Sequence, residues 1–207
     1  TAARALARAA QHLIAGQNAD LARAVRNLDA SISQIDLAAS IIARMREFVR
    51  RGRPHVSTID VHELLATAVS LFKADGRFPA MEVRIDVAPT LPSLFGDRTQ
   101  LGQVLLNLMR NSAEAIHAAR VAGGLIEVGA GIGAEAGTIE FFVRDNGGGV
   151  PKDRQDMLFE PARSDKRDGL GLGLAISAFV VQNHRGRLWL AESRPGRTEF
   201  RMAVPFD

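Results

Sequence analysis

Four short segments, in fixed order across the second half of a 207-residue chain, restrict its fold more than composition does. Gln103 to Ala115 reads QVLLNLMRNSAEA, Arg144 to Val150 reads RDNGGGV, Leu158 to Pro161 reads LFEP, and Gly169 to Leu174 reads GLGLGL. The first is helical in pattern, and its Asn107 and Asn111, at i and i+4, share one face. Leu105, Leu106, Leu108 and Met109 are left for a core. An Asn amide on an otherwise apolar helix is costly without a partner. A hydrated Mg²⁺ that bridges phosphates supplies one; a side-chain bond to another helix is the alternative. Asp145 follows the apolar run Ile139 to Val143, where a carboxylate at a strand's end can accept from a buried donor; DNGGG alone is also a tight turn. Gly169, Gly171 and Gly173 lead into a helix, and a glycine-rich entry with free N–H groups favours an anion. The run has no GK[ST] and does not follow a first strand, so it is neither a P-loop nor a dinucleotide fingerprint.

Taken together, the four segments resemble the N, G1, F and G2 boxes of the histidine-kinase-type ATP-binding domain, the fold shared with gyrase, Hsp90 and MutL. The resemblance covers roughly Ser57 to Phe206. It implies ATP and Mg²⁺ as cofactors, with Asn111 as the Mg²⁺ residue and Asn107 in the same catalytic polar shell. Asp145 is then the acceptor for the exocyclic amine of adenine, supported by Thr198 of GRTEF. Gly147 and Gly149 let the backbone approach the base. Gly169, Leu170, Gly171, Leu172 and Gly173 form the phosphate loop. The polar stretch between Gly149 and Gly169 is the ATP lid, with Phe159 as its apolar latch and Lys166 within reach of phosphates. Here PARSDK replaces the family's PFFTTK, so two lid aromatics are gone. In gyrase-like ATPases the residue four before the Mg²⁺ Asn is a water-activating Glu. Asn107 cannot act as that base, which argues for phosphoryl transfer to an outside nucleophile.

The first quarter of the chain has a different pattern. Residues 2–16 read as a short helix. From Leu21, the positions Leu21, Val25, Leu28, Ile32, Ile35, Ala39, Ile42 and Val49 alternate four and three apart, broken only at Arg46. A seam of that kind must be buried against another helix. The expected fold is therefore α+β: an N-terminal antiparallel helical hairpin, a four-helix bundle on dimerisation, followed by an α/β sandwich of Bergerat type. The expected domains are 1–53, dimerisation helices with the phosphoacceptor box missing, and 54–207, the ATP-binding catalytic domain. In the second, strands are expected at Val56 to Ile59, Met81 to Val87, Leu125 to Ala130 and Thr138 to Arg144, with a closing hairpin around Pro195-Gly196. Helices are expected at Val61 to Lys73, Gln100 to Ala119 and Leu172 to Asn183.

Composition narrows the surroundings. No apolar run approaches the ~18 residues of a membrane span. No Cys is present, which excludes disulfides and thiolate metal sites and fits a cytoplasmic location. The net charge of +3 is mild; Arg50-Arg51-Gly52-Arg53 reads as a solvated helix end rather than a nucleic-acid patch. Thr1 is not an initiator Met, so the chain reads as part of a longer protein, with any sensor or membrane anchor outside it. Of five histidines, His12 lies in the first helix without the flanking acid and Pro of an acceptor box, and His62 falls after the linker. His184 matches the family's ExHGG His, with Arg185 replacing the first Gly. The phosphoacceptor is expected upstream of Thr1-Ala2, which resembles the end of that box in oxygen- and dicarboxylate-sensing kinases. The expected function is the catalytic core of a two-component sensor histidine kinase, transferring the γ-phosphate of Mg·ATP to a histidine for relay to a response regulator. The expected partners are a homodimer mate through residues 1–52 and a receiver domain, with no nucleic acid or membrane contact. The alternatives are a pseudokinase dimerisation scaffold and an ATPase of the same fold.

Overall fold

A computed structural model describes residues 27–28, 56–160 and 173–206. The chain divides into two compact units, Thr1–Arg53 and Pro54–Asp207. Of the first, Asn27 and Leu28 are helical; the rest of the expected dimerisation helices, with His12, lies outside the described residues. So do Lys166, Gly169, Leu170, Gly171 and Leu172.

The elements run β1 (Val56–Ile59), α1 (Val61–Ala74), β2 (Glu82–Val87), β3 (Leu94–Asp97), α2 (Arg98–Ala118), β4 (Leu125–Ile132), β5 (Thr138–Asp145), α3 (Lys152–Gln155), α4 (Gly173–Asn183), β6 (Arg187–Arg194) and β7 (Arg197–Pro205). Strands and helices fall where periodicity places them, with two additions. β3 is four residues in a proline-rich stretch and pairs antiparallel with β1, apart from the main sheet. α3 is a single turn within the expected lid.

The main sheet has the order β2-β4-β5-β7-β6. β2 is parallel to β4, and the other pairs are antiparallel. This is the mixed sheet of an α+β, Bergerat-like fold. Alternation gives the sheet two chemistries. One face buries Ile126, Val128, Ile139, Phe141, Val143 and Met202, against the stripes Leu64–Leu65–Ala68–Phe72 of α1 and Leu101–Leu105–Leu108–Met109 of α2. The opposite face carries an ion network. Glu199 on β7 accepts from Arg144 Nε at 2.7 Å and Arg201 Nε at 2.5 Å. Arg144 also reaches Glu127 at 3.2 Å, and Arg201 pairs with Glu140. Burial pushes the Glu199 carboxyl up, but the two guanidinium groups outweigh it and hold it below the ordinary range.

Helix starts and ends follow local rules. Asp60 caps α1 by accepting from Glu63 N at 3.0 Å. Asp97, the last residue of β3, caps α2 by accepting from Thr99 N and Gln100 N. Both α2 and α4 end in the paired 6→1 and 5→2 bonds of a Schellman turn: Val121 N to Ile116 O and Arg120 N to His117 O, then Gly186 N to Val181 O and Arg185 N to Gln182 O. The left-handed residue of such a turn is usually Gly. Here it is Arg120 at φ 52° and Arg185 at φ 57°. The neighbouring His184 is structural: its Nε2 accepts from Asp97 N at 3.0 Å, and its Nδ1 donates to Val180 O at 2.8 Å.

An L side chain in the left-handed region costs about 1–2 kcal/mol, partly recovered through the stiffer unfolded chain. Arg120→Gly and Arg185→Gly are each expected to raise stability, by up to about 1 kcal/mol. Urea denaturation checks this, and a loss of stability in both variants refutes it.

Candidate functional site

The site is organised along one face of α2. Because Asp97 caps the helix directly from β3, the register of Asn107, Asn111 and Ser112 is set from a fixed start. Ser112 lies five residues beyond Asn107, about 7.5 Å along the axis. Different elements meet the helix at these two levels.

At the Ser112 level stands the end of β5. Asp145 is 4% exposed. On the adjacent strand its register partner is Thr198, 3% exposed, so the expected Asp–Thr pairing is a direct cross-strand neighbour relation. Asp145 Oδ1 accepts from Gly147 N at 2.8 Å. Burial pushes the Asp145 carboxyl above its ordinary range, and the Gly147 N–H and the Ser112 and Thr198 hydroxyls pull it partly back. The two hydroxyls sit near the carboxylate without completing full hydrogen-bond geometry.

Gly147 and Gly149 serve the chain's own packing. A Cβ on Gly147 would lie 2.7 Å from Asp145 Oδ1 and 3.1 Å from the backbone N of Ile116. Gly149 has φ +79°, and a Cβ there would lie 2.9 Å from the Arg194 carbonyl carbon. The glycines let the loop wedge between α2 and the β6–β7 hairpin, where Gly196 N donates to Gly147 O at 2.8 Å.

At the Asn107 level stands the start of α4. Asn107 Nδ2 donates to Ser177 Oγ at 3.0 Å. Gly173 approaches so closely that a Cβ would lie 2.5 Å from Asn107 Oδ1. Asn107 therefore makes the helix-to-helix bond that its pattern left open. Asn111, one turn further on, has a buried Nδ2 with no hydrogen-bond partner among the described residues. No cluster of three His, Cys, Asp or Glu suited to a metal occurs among the described residues. Phe159 packs edge-on against core Phe200, with centroids 6.4 Å apart, close to the last described residue of the expected lid, Glu160. The structure thus gathers Asn107, Asn111, Asp145, Gly147, Gly149, Gly173 and Thr198 around α2.

Sequence reasoning passed over Ser112 and Ser177. Each is polar at a position of an apolar stripe: Ser112 continues Leu101, Leu105 and Leu108, and Ser177 precedes Val180 and Val181. That interruption was the available signal.

Gly147→Ala is expected to cost about 1–3 kcal/mol through overpacking. Gly131→Ala, with nothing within 4 Å of its Cβ, is expected to be neutral or slightly stabilising. Equal effects in chemical denaturation would refute the packing role of Gly147. Asp145 makes a separate pH prediction. Between the ordinary carboxyl range and its raised value, the native state holds a proton that the unfolded chain releases, so its contribution to stability falls as pH rises through that window. Asp145→Asn still accepts from Gly147 N–H, so it is expected to be more stable than wild type at neutral pH, with the gain shrinking in mild acid. No gain at neutral pH contradicts a desolvated charge.

Comparison with known proteins places this geometry. The family described as "Histidine kinase-, DNA gyrase B-, and HSP90-like ATPase" matches residues 96–207. The sensor histidine kinase TmoS of Ectopseudomonas mendocina is 32% identical over 84% of this chain, which spans 18% of TmoS. The C4-dicarboxylate transport sensor protein DctB of Rhizobium meliloti is 34% identical over 86% of this chain, which spans 28% of DctB. Among solved structures, the mycobacterial sensor histidine kinase MprB is 27% identical, with a TM-score of 0.61 over 72% of this chain and 97% of that one. No helix among the described residues is long and apolar enough to cross a membrane. With its family match, its sensor-kinase relatives and its Bergerat-like sheet, the chain belongs to the histidine kinase-, DNA gyrase B- and HSP90-like ATPase family, as a histidine-kinase ATP-binding catalytic domain.

Proposed function

We propose that this chain is the catalytic core of a two-component sensor histidine kinase, which binds Mg·ATP and directs the γ-phosphate to a histidine for relay to a response regulator. The observation that carries the proposal is the placement of Asn111 on α2, between the buried Asp145–Thr198 pair and the start of α4 at Gly173. Asp145 accepts from the amine of adenine, and Thr198 supports it. The glycine-rich entry to α4, with Gly169 to Leu172 preceding Gly173, supplies N–H groups to phosphate oxygens, and Lys166 adds a cation.

The residues fit a Mg²⁺ held chiefly by phosphates and water. The buried Nδ2 of Asn111 is a donor without a partner among the described residues; a phosphate oxygen or a metal-bound water would accept from it, and the amide oxygen of the same side chain is the atom that would face the cation. When bound, Mg²⁺ neutralises phosphate charge as the γ-phosphoryl group departs. Asn107 keeps Gly173 and Ser177 at a fixed distance from Asn111 and has no capacity as a base, which favours transfer to a protein nucleophile over water. The heptad row supports a homodimer through residues 1–52, with a receiver domain as the further partner.

ADP or ATP with Mg²⁺ is expected to stabilise the chain by about 2.7 kcal/mol at a hundredfold excess over the dissociation constant. Asp145→Asn should lose ADP binding with or without Mg²⁺. Asn111→Asp should keep Mg²⁺-free ADP binding and alter only the Mg²⁺-dependent part. Calorimetry decides: no binding by the folded wild type sinks the proposal and leaves the scaffold reading, and equal loss of Mg²⁺-free binding in both variants contradicts the division of roles.

A further inference from the structure

The two edges of the main sheet are not alike. β6, at one end of the order, is broken by a bulge between Leu190 and Glu192, a device that turns an edge away from other strands. β2, at the other end, pairs with β4 alone among the described residues and keeps an unbroken register over Glu82–Val87. Glu82 N donates to Gly124 O and Ala88 N to Ala130 O. Along a strand these backbone groups alternate in direction, so Glu82, Arg84 and Asp86 turn theirs toward β4, and Val83, Ile85 and Val87 turn theirs outward. Those outward groups form an open ladder.

The side chains divide by face. Val83, Ile85 and Val87 lie on the core face, beside Ile126, Val128 and Ala130 of β4. Val128 is fully buried, whereas its neighbour Ile85 is 48% exposed, so the helices cover β4 and leave the apolar row of β2 open. Glu82, Arg84 and Asp86 lie on the other face and are exposed. Arg84 Nε donates to Glu82 at 2.7 Å, a surface pair of little strength. An antiparallel second copy of β2 could be centred on any of these residues, and the charges discriminate. Centred on Arg84, the register opposes Arg84 to Arg84 and Glu82 to Asp86, all like charges. Centred on Asp86, it opposes Asp86 to itself. Centred on Val83, it overlaps only half of the strand. Centred on Ile85, it opposes Ile85 to Ile85, Val83 to Val87 and Arg84 to Asp86, with opposite charges on both sides of the centre. Opposite charges across a strand pair are favourable and like charges are not.

We propose that β2 is a self-pairing edge: a second copy of this chain adds its own β2 antiparallel about Ile85, so that the two sheets run on as one. The contact is isologous, with the same patch on both sides. The outward N–H and C=O groups of Val83, Ile85 and Val87 gain partners, each opposed pair exchanging both of its bonds. The apolar row closes on itself, and Arg84 of each copy lies opposite Asp86 of the other. The charges that guard the edge against other strands thereby admit this one, because only a strand with their complement in register avoids like-charge pairs. The contact is separate from the pairing expected through residues 1–52 and uses no residue of the nucleotide site.

The test uses the full 207-residue chain, which has no Cys, so a single introduced thiol reports only its own counterpart. In the register centred on Ile85, the two Ile85 Cα atoms lie about 5.5 Å apart, within disulfide reach, and the two Glu82 Cα atoms lie about 20 Å apart. Ile85→Cys is expected to give a disulfide-linked dimer on mild oxidation at micromolar concentration, and Glu82→Cys to stay unlinked. Adding Arg84→Asp or Asp86→Arg to Ile85→Cys turns both charged pairs into like charges and is expected to lower the linked fraction about tenfold. Co-expressed, these two charge variants complement each other, and the linked product, resolved by mass, should be mainly the mixed dimer. Thermal unfolding confirms that each variant is folded; should a charge variant fail to fold, the comparison of Ile85→Cys with Glu82→Cys decides by itself. No linkage through Ile85→Cys, equal linkage through Glu82→Cys, or a co-expressed pair that links no better than its components overturns the proposal.

Discussion

A carboxylate held out of water at the end of a strand is the constraint on which the rest of the site depends. Asp145 is almost fully buried, and its partners are dipoles, not cations. Burial of a charge on such terms opposes its ionisation and is tolerated only where donors are fixed in place. One donor, the Gly147 N–H, is in place at 2.8 Å, and the dipoles around it come from two further places far apart in sequence: the hydroxyls of Ser112 on α2 and Thr198 on β7. For all three to lie near one carboxylate, β5 and β7 must hold their register, α2 must lie at one depth over the sheet, and the loop must pass between helix and hairpin. The bare Cα positions of Gly147 and Gly149 permit that passage.

The sheet meets this demand by separating its chemistry between faces. The apolar face sets the depth of α1, α2 and α4. The opposite face locks β4, β5 and β7 together through Glu127, Glu140, Arg144, Glu199 and Arg201. A slip of one residue in β7 would carry Thr198 to the outer face and Glu199 into the core. The ion network and the Asp145–Thr198 pair therefore specify the same register from opposite sides. Isolated ion pairs at a surface contribute little; a linked set around a carboxylate as buried as Glu199 is a stronger determinant of register, because each wrong pairing leaves a charge without a partner.

The two ends of the site differ in how they are held. The Asp145 end is built from strand register and helix depth and is closed by packing. The Gly173 end depends on the close approach of α4 to Asn107 and the bond to Ser177. His184 secures the other end of α4 to β3 through Asp97 N, and β3 in turn starts α2. The helix that carries Asn107, Asn111 and Ser112 and the helix that begins at Gly173 thus share an anchor at Asp97.

Much was legible in the sequence because it is local. Apolar stripes placed α1 and α2, alternation placed β2, β4 and β5, and the Gly-containing turn placed the β6–β7 hairpin. The order of motifs pointed to the family before any contact was known. Asp145 and Thr198 were singled out from motifs more than fifty residues apart, yet that they face each other is a property of strand pairing. β3 escaped periodicity because four residues just after Pro89 and Pro92 carry no repeat; it exists as a strand through its pairing with β1. Ser112 looked like one more residue of an Asn-containing helix, and Asn107 kept two possible partners until α4 was seen to lie against it. The left-handed Arg120 and Arg185 were hidden for a similar reason: the turn bonds that impose their φ depend on where each helix stops. Sequence alone determined the longer helices and the strands of the main sheet and which side chains bear chemistry, since periodicity and side-chain type are written along the chain. Tertiary structure alone decided which hydroxyls surround the buried carboxylate and which Asn was left with an unpaired amide, because desolvation and hydrogen-bond geometry arise only when distant segments are packed together.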